Sequence, residues 1–138
     1  MNTHALIVPK QEIDTVWLMV SGFVDAALQH SNHEIDTDTV YFYLKDGRMN
    51  LWVLAMEEGA VMGAVVTEFI KYPLMNVCRI VALGGHRMEV WLHHVSEIEA
   101  WAREHDCSRM DTMCRIGFEK RIKHLGYAKD YIHMGKAL

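Results

Sequence analysis

The chain has 138 residues, the size of one ordinary domain. Hydrophobic residues make up 51%, enough for a core and too many for a disordered chain. The net charge of −4, with acidic and basic residues interspersed, excludes a phosphate-tracking basic stripe.

Charged residues break every apolar run before it reaches membrane-spanning length, and the first residues lack the basic-then-apolar pattern of a signal peptide. The three cysteines, Cys78, Cys107 and Cys114, form no CxxC pair. This composition fits free thiols in a reducing cytoplasm rather than a disulfide framework. Only two prolines occur and no linker separates two halves, so residues 1–138 read as a single domain.

In chain order, Ala5 to Val8 is a first strand ended by Pro9. From Lys10 to about His30, Ile13, Val16, Trp17, Val20, Val24, Ala27 and Leu28 recur on one helical face. Asp36 or Thr37 caps a second helix, and Gly47 is its left-handed stop. Asn50–Glu57, Val61–Tyr72 and Met75–Gly85 are strands joined by short turns, an antiparallel meander. Helical spacing returns from about Arg87 to His105 through Trp91, Val95, Ile98 and Ala102. Ser108–Cys114 alternates as a strand, and "GFEKRIKHLG" is a short helix stopped by Gly126. The segment "YAKDYIHMGKAL" is expected to supply a last strand. The class is α/β (α+β), a mixed, mostly antiparallel sheet with helices on both faces.

Two stretches carry a family resemblance. "AREHDC", "SRMDTMC" and "HLGY" follow the helix–strand–helix pattern that closes domains of the GCN5-related N-acetyltransferase (GNAT) superfamily. "GGHRMEVW" and "RIGF" are similar to segments of small acetyltransferase-like proteins from tailed bacteriophages. The resemblance implies an acetyl-coenzyme A (or other acyl-CoA) cofactor lying where two strands splay. Pantetheine would pair with the open edge of the fourth strand, Cys78–Leu83, where Val81, Ala82 and Leu83 would orient the thioester. The pyrophosphate would rest on backbone N–H groups of Gly84, Gly85, His86, Arg87 and Met88 at the start of the central helix.

The sequence departs from the family at two places. Its loop "GGHRMEVW" does not follow the Arg/Gln-x-x-Gly-x-Gly/Ala pattern, and Ile122 stands where many members carry a proton-donating Tyr.

Glu68, charged within the apolar run "VVTEFI", is the candidate base; its competing roles are a place on the solvated side of the strand or an ion pair with Arg79 on the next strand. Arg79 itself can bind an anion or snorkel at a sheet face. The nine histidines include no HxxxH or HExxH, so no metal site is expected. Two functions follow. One is an acyl-CoA-dependent N-acyltransferase acting on an unknown amine acceptor in the host cytoplasm. The other is a non-catalytic phage virion or assembly protein, or a host-protein binder, with the same fold. Neither a nucleic acid nor a membrane is an expected partner.

Overall fold

The computed structural model describes residues 2–138 and contains one five-stranded sheet in the order β1-β2-β3-β4-β5. Strands β1 (Thr3–Ile7), β2 (Met49–Met56), β3 (Val61–Lys71) and β4 (Asn76–Gly85) pair antiparallel with their neighbours. Strand β5 (Arg109–Thr112) pairs parallel with β4 after a crossover through α3 (Val95–Glu104). Helices α1 (Ile13–Leu28) and α2 (Thr37–Asp46) lie between β1 and β2 in sequence.

Strand alternation divides the core between the two sheet faces. On one face Leu51, Val53, Ala64, Val66 and Ala82 meet Ile13, Val20, Val24 and Leu28 of α1 and Val40 and Leu44 of α2. On the other, Trp52, Leu54, Val65 and Ile80 meet Trp91, Val95 and Ile98. The stops are local chemistry. The Asp36 carboxylate accepts from the Thr39 N–H at the start of α2, and Gly47 ends that helix with φ 86°. Gly126, with φ 93°, ends the short helical segment around α4 (Glu119–Ile122).

Two expectations are corrected. The central helix does not run from Arg87. Arg87 is left-handed, Met88–Val90 and Leu92–His94 form short 3-10 turns, and α3 starts at Val95. The cause is Trp91: its indole is buried, packs over Gly63, and donates from Nε1 to the His86 carbonyl at 2.7 Å. That hydrogen bond pulls the chain into a turn before the helix can form.

The last strand is also absent. Residues 127–138 take no regular structure, and none of their backbone N–H groups is donated to another backbone group among the described residues. Side chains alone tie this segment down: Tyr127 donates to Glu99, Lys129 pairs with Glu119, and Arg109 pairs with Asp130. Beyond Asp130, Tyr131, Ile132 and Met134 are exposed and contribute no apolar face that would hold a strand against the sheet.

Candidate active site

The site begins with a mismatch in the β3–β4 ladder. Val66 pairs with Ala82, but the next residue, Thr67, pairs with Ile80, so Val81 is an extra, unmatched residue in β4. A bulge of this kind bends its strand and increases its twist. On the other side of β4, β5 pairs only with Val77–Ile80. Thr112 Oγ1 donates to the Ile80 carbonyl at 3.0 Å at this last rung. Beyond it, β4 from Val81 to Gly85 has no strand on its β5 side among the described residues. Of the expected edge Cys78–Leu83, β5 covers Cys78–Ile80, and Val81, Ala82 and Leu83 stand on an open edge: Ala82 is buried under α1, and Val81 and Leu83 are half-buried.

The glycine doublet serves protein contacts. A Cβ on Gly84 would lie 2.8 Å from the Phe23 carbonyl of α1, and one on Gly85 would lie 2.3 Å from the Met62 carbonyl. The His86 N–H is donated to that same Met62 carbonyl at 2.7 Å, and its ring meets Phe23 edge-on. These residues fix the loop. The free donors come next: the N–H groups of Arg87, Met88 and Glu89 have no protein acceptor among the described residues. Arg87 has φ 53° and ψ 49°, and the right-handed turn Met88–Val90 follows. A left-handed residue followed by a right-handed turn aims successive N–H groups into one concavity, an arrangement that binds anions. Of the expected Gly84–Met88 loop, Arg87 and Met88 thus keep free N–H groups, with Glu89 beside them, and they lie in a turn rather than at a helix start.

Glu68 lies on β3, on the face shared with Ala64 and Val66, directly opposite Arg79 of β4. The expected ion pair does not form between them. Arg79 instead donates from Nε to Asp111 Oδ1 at 2.9 Å and from Nη2 to Asp111 Oδ2 at 3.0 Å, a two-pronged bond to β5. Nη2 also approaches the Tyr72 hydroxyl at 3.4 Å. The bond to Asp111 holds the Arg79 guanidinium firmly charged. Glu68 has no ion-pair partner among the described residues. Its partial burial pushes the carboxyl above the ordinary carboxylate value; Arg79 pulls it down and Asp111 adds to the rise. A half-buried carboxylate with raised proton affinity can accept a proton near neutral pH better than a solvated one.

The remaining groups are structural. Burial pushes the Cys78 thiol up to about 12, so no thiolate nucleophile exists there at neutral pH. Ile122 is buried in the core and has no proton to give. Burial, and then the bond to Glu99, raise the Tyr127 phenol. Among the described residues, no three His, Cys, Asp or Glu groups come close enough to hold a metal ion. Two surface hollows, one lined by Asn2, Thr3, His4, Glu57 and His93 and one between α3 and β5, include no residue of Val81–Met88. Sequence reading missed Asp111. Its signal is an acid inside the alternating run "SRMDTMC", on the face opposite Met110 and Thr112.

The architecture has clear counterparts among solved structures. An aminoglycoside acetyltransferase from an uncultured soil metagenomic sample, in complex with sisomicin, superposes with a TM-score of 0.71 over 99% of this chain and 96% of its own, at 9% identity. A ribosomal-protein-alanine N-acetyltransferase from Brucella melitensis gives 0.72 over 99% and 100%, at 11% identity. Glucosamine-6-phosphate N-acetyltransferase from Arabidopsis thaliana gives 0.68 over 99% and 99%, at 10% identity. The chain has the fold of the GNAT acetyltransferases. No protein-family model matches it. No curated protein matches it either.

Proposed function

We propose that the protein is an acyl-coenzyme A-dependent N-acyltransferase. The observation that carries this reading is the pairing of an open β4 edge beyond Ile80 with free N–H donors at Arg87, Met88 and Glu89 on the same strand's exit. That pair fits a cofactor with amides along its arm and a diphosphate at its end. Backbone amides of Val81–Leu83 would hold the arm, and the turn donors with the Arg87 side chain would hold the diphosphate. The cofactor supplies a thioester carbonyl open to attack by an amine.

The chain's own residues do the rest. Glu68 takes the proton that an attacking amine must lose, directly or through one water. With Ile122 in the place of a proton donor, the chain offers no side-chain acid at that position, and a leaving thiolate would take its proton from water. The solved neighbours support the acyl-transfer reading through their fold, and their acceptors differ: an aminoglycoside for one and glucosamine 6-phosphate for another, as their names state. The acceptor here is an amine, held on the α1/α2 face of the sheet beside Glu68.

The test is ligand-dependent melting. Acetyl-coenzyme A at about 100 times its Kd adds about 2.7 kcal/mol of stability. An unchanged Tm at millimolar cofactor sinks the reading, as does undiminished affinity in Arg87→Ala for the diphosphate assignment.

A second reading draws on Ile122 and on the glycine doublet being engaged by protein backbone. It is a bacteriophage protein that keeps this fold as a virion or assembly component. Recovery of the chain in stoichiometric amounts from purified particles, together with no cofactor-induced stabilisation, would favour it over the transferase.

A further inference from the structure

Glu68, Arg79 and Asp111 stand side by side on three adjacent strands, on one face of the sheet. Glu68 is opposite Arg79 in the β3–β4 ladder, and Arg79 is opposite Asp111 in the β4–β5 ladder. Directly opposed side chains in an antiparallel pair have Cβ atoms about 4.5–5.5 Å apart. A guanidinium on its flexible stem can therefore reach either carboxylate. It goes to Asp111 through both Nε and Nη2, and Glu68 is left without a partner among the described residues.

We propose that Asp111 is a positioning residue: by occupying the guanidinium of Arg79, it keeps that cation from neutralising Glu68 and so preserves Glu68 as a proton acceptor. The inference rests on the reading of Glu68 as the base of the acyl transfer. A planar guanidinium matched to one carboxylate by two parallel bonds has little to gain by turning to the other. The groups facing Glu68 are few. Arg79 is its neighbour on β4, Asp111 lies beyond on β5, Tyr72 binds the far side of Arg79, and its β2 neighbour is the apolar Met49. Burial, with a smaller push from Asp111, raises the Glu68 carboxyl against the pull of Arg79. Removing Asp111 takes away its charge and the anchor of Arg79, and both changes favour ionised Glu68.

The experiment is a titration of the Glu68 carboxyl carbon by NMR, assigned with Glu68→Gln, in the wild-type chain and in Asp111→Asn. The midpoint is expected to fall in Asp111→Asn and to return upward in the double variant Asp111→Asn/Arg79→Gln. Arg79→Lys is a second route should Asp111→Asn not fold. A point-charge ammonium makes no two-pronged bond to Asp111, so part of its charge goes to Glu68 and the midpoint again falls. In acyl transfer, Asp111→Asn should lower kcat by up to about tenfold, less than the about 100-fold at which the effect of losing a general base begins. Cofactor affinity should stay within about twofold, because the β4 edge and the Arg87 turn are untouched.

A Glu68 midpoint that stays or rises in both single variants overturns the inference even where transfer is measured. Transfer absent from the wild type, with the midpoint falling as expected, removes the transferase reading and leaves the charge arrangement supported.

Discussion

The two flanks of β4 are built by different rules. On its β3 side the ladder runs nearly the full strand, from Lys71↔Asn76 to Gly63↔Gly85, with one bulge. On its β5 side only four rungs form, and then the strand edge opens. The closed flank has backbone against backbone and glycines where nothing larger fits; the open flank has unspent donors and charged side chains. The same strand is therefore a closed core strand on one side and an open edge on the other. The bulge at Val81 marks the level at which it changes role.

Glycine substitutions should separate the flanks most sharply. At Gly85 a Cβ would meet the Met62 carbonyl at 2.3 Å and the Gly63 Cα at 2.5 Å, both backbone, at φ 154°. Gly85→Ala is expected to cost more than about 4 kcal/mol or to prevent folding, the range reserved for severe steric strain. Gly117→Ala, with nothing within 4 Å of its Cβ, should stay within about 0.5 kcal/mol. Urea unfolding of the two variants measures the contrast, and equal midpoints would mean that the closed flank is not packed as described. Next in size is Trp91→Ala, which removes a buried indole and the anchor of the turn before α3; about 3–5 kcal/mol of stability should be lost.

How much of this was legible in sequence follows the same division. The meander, α1 and the caps at Asp36 and Gly47 were readable because periodicity and turn chemistry are local signals. The start of α3 was misplaced because a tertiary contact, Trp91 against Gly63, decides it. The last strand was misread because "YAKDYIHM" has the composition of a strand while nothing in the fold buries one of its faces. Glu68 was visible as a charge in an apolar run. That Arg79 would choose Asp111 over Glu68 depends on geometry across two ladders, which no single segment records.

Glu68 gives a pH-dependent contrast. Its carboxyl is raised in the fold, so the protonated form is the one the native state favours. The sign follows: the stability this group contributes is fully present below its unfolded value. It is lost as pH rises through its higher folded value. The wild type should therefore lose stability relative to Glu68→Gln between about pH 4, near the ordinary Glu value, and neutral pH. Because the group is only half-buried, solvent keeps the effect small. Urea midpoints of both proteins at the two ends of that window measure it, and a wild type that gains on the variant as pH rises would contradict the assigned environment.

The smallest effect belongs to the chain end beyond β5, which lies outside both ladders. Ile132 is 84% exposed and Met134 86%, and neither lies in a backbone ladder. Ile132→Asp should change stability by no more than about 0.5 kcal/mol, as for surface positions that touch nothing. Hydrogen exchange reads the same point directly. Amides of 128–138 should exchange at nearly unprotected rates, while those of Val65 and Val66, in the centre of the sheet, should open only with global unfolding. Strong protection of 131–134 would show that this segment pairs with something, β5's outer edge or another chain.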